Sequence, residues 1–285
     1  MACLFVEQLT VLDFSRLDRE RGLVGESWIV DLELEGELDP QSMVLDFGEV
    51  KRTAREAVEA FADHKLLVPG DCGWVEVEVA RGSGEVRIEA PAAGLRLRSP
   101  GEAVCRLEAR AVTMPVLRRC LEDCVAALMP PNVSAVRVAL REEEAPGAYY
   151  HYSHGLKRHA GHCQRIAHGH RSRLEVYADG LRNDHWERYW ADRWRDVYLA
   201  SEEDLVAETT LGDRPAWRFA YRSSQGEFEL ELWAERCERV PADTTVECLA
   251  AHIATELARL SPGTAFRVRA YEGVNKGAVA SAGGA

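Results

Sequence analysis

The chain has 285 residues, of which 46% are hydrophobic, and a formal net charge of −12 at pH 7. This length suits one large domain or two ordinary ones, and the negative charge argues against nucleic acid or an anionic membrane surface as a partner. No apolar run approaches the roughly 20 residues of a membrane span, the N-terminus does not resemble a secretory signal, and eight cysteines without a CxxC pair favour reduced thiols in a cytoplasmic protein.

The first half of the chain predicts strands and helices that do not alternate regularly. Apolar and polar residues alternate over 27–36, which predicts a strand, and residues 49–65 have helical periodicity without Gly or Pro. Residues 74–89 predict a hairpin with a Gly-rich turn, and residues 114–130 predict an amphipathic helix. This order favours an α+β fold, with antiparallel sheets and helices packed on one face.

The second half repeats this order with a strand, a hairpin and an amphipathic helix. Short sequence similarities connect the two halves in the same order, which indicates a duplicated domain. The similar pairs are "DFSR" at 13–16 with "HYSH" at 151–154, "GESWIVDLELEG" at 25–36 with "GHRSRLEVYADG" at 169–180, "GEVRIE" at 84–89 with "GEFELE" at 226–231, and "RVALREEEAPGA" at 137–148 with "RVRAYEGVNKGA" at 267–278.

These similarities define the predicted domains. We expect a first domain at 1–147 and a second at 148–276. The remaining residues, 277–285, are small and are predicted to form a flexible tail.

A short segment of the second half, "HCQRIAHGH" at 162–170, is rich in residues that bind metals. His168 and His170 are two positions apart, so on a strand both rings lie on one face and can meet one ion. His154 would reach them from the preceding strand. Three imidazoles without a carboxylate favour zinc with an open fourth position, as in catalytic sites. A histidine-rich surface loop is the alternative interpretation.

Cys163 within this segment has two possible roles. As a fourth ligand it would close the metal site and make the site structural. As a free thiol beside zinc and imidazoles it would have a lowered pKa and could act as a base or nucleophile.

Further motifs extend from this cluster across both halves. They are "YSH" at 152–154, Cys163 and "HGH" at 168–170, then "MVLDFGEVK" at 43–51 and "DHKLL" at 63–67 in the first half, and "DTTVECLA" at 243–250 with Glu272 in the second. Together these motifs resemble the 6-pyruvoyl-tetrahydropterin synthase and 6-carboxy-tetrahydropterin synthase family.

The resemblance implies two tandem tunnelling-fold domains, a fold whose subunits join into antiparallel barrels with sites at the subunit interfaces. It implies a zinc-dependent lyase acting on 7,8-dihydroneopterin triphosphate, and it leaves the choice between the pyruvoyl and carboxy products open. The implied site consists of Zn²⁺ on His154, His168 and His170, Cys163 as the base, Asp63 and His64 as the proton relay, and Glu272 as the group that binds the pterin.

The two halves depart from the family in complementary ways. The first half has Arg16, Val24 and Glu26 at the ligand positions, and the second half lacks the Asp-His pair. We therefore expect one zinc and one active site per chain, with Glu142, the counterpart of Glu272, in a vestigial pocket.

The expected assembly is a homo-oligomer, most simply a trimer of two-domain chains. The Asp-His pair would act within its own chain or across a chain boundary. Two other functions stay open: a non-catalytic pterin or purine binder, and a structural zinc protein that uses Cys163 as a ligand.

Overall fold

The first half of the chain begins with a long hairpin and continues with a helix, a second hairpin and another helix. A computed structural model describes residues 1–144 and 146–284. The elements are β1 (Ala2–Asp18), β2 (Gly22–Gly36), α1 (Phe47–Ala62), β3 (Leu66–Pro69), β4 (Glu76–Val79), β5 (Glu85–Ala90), β6 (Leu95–Pro100), β7 (Val104–Leu107), α2 (Met114–Ala126) and β8 (Val133–Glu142).

The second half follows the same order of hairpin, helix, hairpin and helix, with a long loop between its first two strands. Its elements are β9 (Tyr149–His154), β10 (His168–Ala178), β11 (Leu181–Arg182), α3 (Asp184–Arg193), β12 (Val197–Ser201), β13 (Leu205–Leu211), β14 (Arg214–Ser223), β15 (Gly226–Trp233), β16 (Cys237–Val240), α4 (Val246–Leu260), β17 (Phe266–Tyr271) and β18 (Gly277–Ala282).

The strands form three sheets. The first has the order β7-β3-β1-β2-β8, and the second has the order β16-β12-β9-β10-β17-β18 with β11 paired to β10. The buried faces of α1 and α2 pack on the first sheet, and those of α3 and α4 pack on the second. The third sheet, β13-β14-β15-β6-β5-β4, is built from the short hairpins of both halves.

The prediction of purely antiparallel sheets is wrong. Strand β3 runs parallel to β1 and β7, and β12 runs parallel to β9 and β16. Parallel neighbours cannot be joined by a tight turn and need long connections: the chain passes through β2 and α1 between β1 and β3, and through the short hairpin strands between β3 and β7. The sheets are therefore mixed.

The two halves meet along two surfaces. Strand β6 of the first half pairs with β15 of the second, so the third sheet is continuous across the junction. At the other surface, Ser15 and Ser153 share a hydrogen bond of 2.6 Å between their hydroxyl groups. A Cβ added to Gly169 would lie 2.7 Å from the Cα of Gly25, so the backbones touch there. These residues occupy matching positions in the sequence similarities.

Residues 277–282 do not form the predicted flexible tail. They form β18, which pairs with β17 from Ala282 opposite Phe266 to Gly277 opposite Tyr271. The small side chains explain the error, because Ala278, Ala280 and Ala282 pack beside the core under α4 and need little space. A sequence of small residues can therefore be an edge strand when a sheet edge and a helix are available to cover it.

Helix α1 ends earlier than the sequence periodicity predicts. It begins after Asp46, whose side chain accepts hydrogen bonds from the backbone N–H groups of Gly48 and Glu49. It ends at Ala62, so that Asp63 and His64 leave the helix. None of the helices in the described part of the chain is long and apolar enough to cross a membrane.

Candidate metal and proton-transfer site

The three predicted metal ligands lie together on one hairpin. In the register of β9 and β10, His154 lies opposite His168, and His170 lies opposite Tyr152. Each of the three histidines is at most 1% exposed. One ligand atom from each lies within 4.8 Å of the others. The hairpin therefore brings together the residues that the sequence pattern selected.

Hydrogen bonds orient two of these rings. Nδ1 of His154 donates to the carbonyl oxygen of Thr244 at 3.0 Å, and Nδ1 of His168 donates to the carbonyl oxygen of Arg165 at 2.9 Å. Since a neutral imidazole carries one proton, the Nε2 atoms of both rings are left as acceptors. Burial and the neighbouring histidines lower the pKa values of His154 and His168, so both rings are neutral.

The free nitrogens fit a zinc ion. Nε2 of His168 is buried and has no hydrogen-bond partner among the described residues. Nε2 of His154 lies 3.1 Å from Nε2 of His170. Zinc–nitrogen bonds of about 2.0–2.1 Å in tetrahedral geometry separate two ligand nitrogens by about 3.3 Å. The separation of these two nitrogens is therefore close to the one that a shared zinc ion would require.

The Asp-His pair comes from the first half and reaches this cluster within one chain. Asp63 caps the C-terminus of α1, and its carboxylate lies 2.6 Å from Nδ1 of His64. The ring centroid of His64 lies 5.1 Å from that of His168. The backbone of Asp13 anchors the pair, because its N–H donates to Asp63 at 2.9 Å and its carbonyl accepts from the N–H of His64 at 2.7 Å.

Cys163 lies on the side of the cluster that faces His64. It sits in a short turn of 3₁₀ helix at His162–Gln164. One ligand atom each of His64, Cys163 and His168 lies within 4.8 Å of the others, and this group shares only His168 with the three-histidine group. Burial lowers the pKa of His64, but the Asp63 carboxylate and the Cys163 sulfur outweigh burial and raise that pKa to about 10.

Glu272 lies at the end of β17, in the turn that leads to β18. It is partly buried, and its N–H donates to the carbonyl oxygen of Lys276 at 3.0 Å. Its charge helps to raise the pKa of Tyr152, for which burial is the main cause. The ring of Tyr152 in turn lies 5.1 Å from that of His154.

Sequence reasoning missed three residues of this site. The carbonyl oxygen of Thr244 accepts a hydrogen bond from His154. The carboxylate of Asp13 lies 3.2 Å from Nδ1 of His170. The ammonium of Lys276 lies 3.1 Å from the same carboxylate. Two signals were available: Thr244 lies in the "DTTVECLA" motif at 243–250, and the alignment of "DFSR" with "HYSH" places Asp13 at the position of His151. That alignment carries no information on the contact with His170, which depends on how the halves dock.

The matching position in the first half holds an ion pair. Arg16 lies opposite Val24, and Phe14 lies opposite Glu26, in the same register as the histidine hairpin. Nε of Arg16 lies 2.8 Å from the carboxylate of Glu26. Arg16, Val24 and Glu26 offer no imidazole, so the first half has no counterpart of the three histidines at these positions.

A cavity of about 1070 Å³ lies between the two halves and is lined by Arg16, Glu26 and Glu142 of the first half and by Tyr149 and His151 of the second. A smaller cavity of about 490 Å³ opens beside Asp63, Lys65 and Arg165. Volume alone would select the first cavity, but the groups that carry metal and proton chemistry lie next to the second. We therefore assign the candidate site to the histidine cluster and its approach beside Asp63.

The fold and the site define a protein of mixed sheets and helices with a buried histidine centre. Residues 11–152 match the model of the 6-pyruvoyl tetrahydropterin synthase family. The chain fits this family, as its motifs predict, and the family relation supports a tetrahydropterin synthase-like function, which in this family is that of a lyase acting on pterins.

Similar solved structures come from two Plasmodium species. A catalytic-residue mutant of the Plasmodium vivax 6-pyruvoyltetrahydropterin synthase is 16% identical, with a TM-score of 0.42, and the match covers 51% of this chain and 93% of that chain. The Plasmodium falciparum enzyme is 15% identical, with a TM-score of 0.40, and covers 49% of this chain and 90% of that chain. No curated protein matches the chain.

Proposed function

We propose that the chain is a zinc-dependent lyase of the 6-pyruvoyl or 6-carboxy-tetrahydropterin synthase type, acting on 7,8-dihydroneopterin triphosphate. The observation that carries the proposal is the meeting of two groups from different halves. Asp63 and His64 of the first half lie against Cys163 and His168 of the second. A metal centre, a thiol and an oriented imidazole are the parts that a proton-transfer lyase requires.

In the proposed mechanism each residue has a separate task. His154, His168 and His170 would hold zinc, which would supply a Lewis acid to polarise the hydroxyl groups of the substrate side chain. The thiolate of Cys163 takes a proton from that side chain. The electron pair left on carbon expels triphosphate as its C–O bond breaks.

The remaining groups handle the pterin and the second proton. The raised pKa of His64, which Asp63 orients, keeps its ring protonated at neutral pH before reaction, so it can deliver a proton first and accept one only afterwards. Glu272 accepts hydrogen bonds from the amino and ring N–H groups of the pterin. Burial of the three histidines keeps bulk water away from the side chain during elimination.

The proposal extends to the origin and assembly of the chain. A duplicated domain is supported by the matching registers of the two long hairpins and by the contacts of Ser15 with Ser153 and of Gly25 with Gly169. A trimer of such chains would supply six copies of the repeat. The sheets keep open edges at β7, β8, β16 and β18, which is consistent with further pairing.

The test measures metal and product on purified full-length chain. We expect about one zinc per chain and release of triphosphate from 7,8-dihydroneopterin triphosphate, with the product mass separating the pyruvoyl from the carboxy reaction. Cys163→Ala should retain zinc and lose turnover by about 10³-fold or more, because it removes the base. Cys3→Ala, at an exposed cysteine, is the matched control and should keep full turnover.

Two outcomes would contradict this proposal in different ways. Loss of zinc together with turnover in Cys163→Ala would favour a structural site with Cys163 as a ligand. Binding of the pterin without release of triphosphate, in a zinc-loaded chain, would identify a non-catalytic binder.

A further inference from the structure

Asp13 is a buried carboxylate that touches both halves of the candidate site. It is 3% exposed and lies on β1 in the first half. Its Oδ1 accepts a hydrogen bond of 2.5 Å from the hydroxyl of Ser27 and lies 3.2 Å from Nδ1 of His170. Its Oδ2 lies 3.1 Å from the ammonium of Lys276. A charge this deeply buried requires partners on every side.

The surroundings of Asp13 are shaped around its carboxylate. Gly273 lies in the turn between β17 and β18, at φ +70°, and a Cβ there would lie 2.5 Å from Oδ1 of Asp13. The N–H of Gly273 donates to Ser172 at 3.0 Å, which holds the turn down. This is the turn that carries Glu272 and Lys276. Only a residue without a side chain lets the turn close over Asp13.

His170 is the one proposed ligand whose Nδ1 faces a carboxylate. His154 and His168 donate their Nδ1 protons to backbone carbonyls of the second half. Nδ1 of His170 has no aligned hydrogen bond among the described residues, although Oδ1 of Asp13 is within reach at 3.2 Å. Histidines that bind metals almost always donate their other N–H to a carbonyl, carboxylate or water, which fixes the ring and strengthens the ligand.

We propose that Asp13 is the positioning residue of the metal centre, and that it makes zinc binding by the second half depend on a carboxylate supplied by the first. When Nε2 of His170 binds the metal, its Nδ1–H turns onto Oδ1 of Asp13 and completes the set of oriented ligands. The inference rests on the proposed zinc site. Through its backbone contacts with Asp63 and His64, the same residue also sets the distance from the metal to the proton relay.

The experiment compares the zinc affinity of full-length variants by competition with a chromophoric chelator. Asp13→Asn keeps the size of the side chain and the backbone contacts to the relay pair but removes the charge. We expect its zinc affinity to fall about 10–100-fold, as for other partners of metal-binding histidines. Asp18→Asn is the matched control, since Asp18 is on the same strand and pairs with Arg16, away from the histidines. Its zinc affinity should stay within about twofold of the wild type, because its contacts lie in the hairpin turn and with Arg16, away from the metal site.

A second variant covers the case in which Asp13→Asn does not fold. Ser27→Ala removes one hydrogen bond to Asp13 and keeps the carboxylate, so its zinc affinity should fall by a smaller factor. Melting temperatures with and without zinc separate an effect on the orientation of His170 from an effect on general stability. We expect zinc to raise the melting temperature of Asp13→Asn by less than it raises that of the wild type. Changed absorption of the Co²⁺-loaded variant, relative to the Asp18→Asn control, would report the altered ligand field directly.

The outcomes distinguish this inference from the proposed function. Equal zinc affinity in Asp13→Asn and wild type would overturn the role of Asp13 and leave the proposed lyase intact. The role of Asp13 would also be overturned if the metal-free variant melts at a lower temperature than the wild type but zinc raises the melting temperatures of both by the same amount. Failure of the wild type to bind zinc would overturn the proposed function itself.

Discussion

His64 shows how the backbone at the end of α1 serves the proposed site. Its φ of +53° lies in the left-handed region, which non-glycine residues seldom adopt. The hydrogen bond from its N–H to Asp13 and the bond between its ring and Asp63 hold it there. Asp196, which follows α3 in the second half, has nearly the same φ of +55° but pairs with Arg21. Both halves thus have a left-handed residue after this helix, but only the first half has a histidine there.

The pKa of His64 predicts a pH dependence of stability. Burial opposes its charge, but Asp63 and Cys163 raise the pKa to about 10 from an ordinary value of 6.5. A raised pKa stabilises the folded state fully below pH 6.5, and this contribution is lost as the pH rises toward 10. Relative to His64→Gln, the wild type should lose roughly 2–4 kcal/mol of unfolding free energy between these pH values.

Urea unfolding of the full chain at pH 6, 8 and 10 measures this difference. Asp63→Asn removes the carboxylate that most raises the pKa, so its stability should depend less on pH than that of the wild type. A constant difference between wild type and His64→Gln across this range would show that His64 is not held protonated.

At the scale of elements, the sequence predicted more of the site than of its surroundings. The hairpin of β9 and β10 follows from the spacing of His168 and His170, since a strand places alternate residues on one face. The direction of β3 and β12 did not follow from the sequence pattern, because parallel pairing joins strands that are separated by long connections. The sequence did not predict the place of Asp13 in the site either, since its contact with Lys276 joins residues that are far apart in sequence.

Strand β18 provides a test at the same scale. Truncation after Lys276 would leave the edge of β17 unpaired and remove the alanines that pack beside α4. Because each strand hydrogen bond contributes about 0.5–1.5 kcal/mol net and ordering the strand opposes this, we expect the unfolding free energy to fall by roughly 1–3 kcal/mol. Denaturant unfolding measures it, with truncation after Ala282 as a control expected to stay within about 0.5 kcal/mol. Equal stability of both truncated chains would indicate that 277–282 act as a flexible tail after all.

At the scale of the whole molecule, the two halves are joined so that neither holds the complete site. The continuous third sheet and the contact between Ser15 and Ser153 fix how the halves dock. That docking brings His64 beside His168 and Asp13 beside His170. The two parts of the proposed site therefore meet inside one chain: the first half supplies Asp63 and His64, and the second supplies the three histidines and Cys163.

This arrangement predicts the result of a mixing experiment on the proposed lyase. Cys163→Ala and His64→Ala chains are each expected to be inactive, and each retains the group that the other lacks. Because both groups act within one chain, unfolding the two variants together and refolding them as a mixture should restore no activity above that of either alone. A mixture of wild type and Cys163→Ala, treated in the same way, should keep activity in proportion to its wild-type fraction, which shows that refolding succeeds. Recovery of activity in the first mixture would mean that Asp63 and His64 serve a neighbouring chain, and that the halves exchange partners when the oligomer forms.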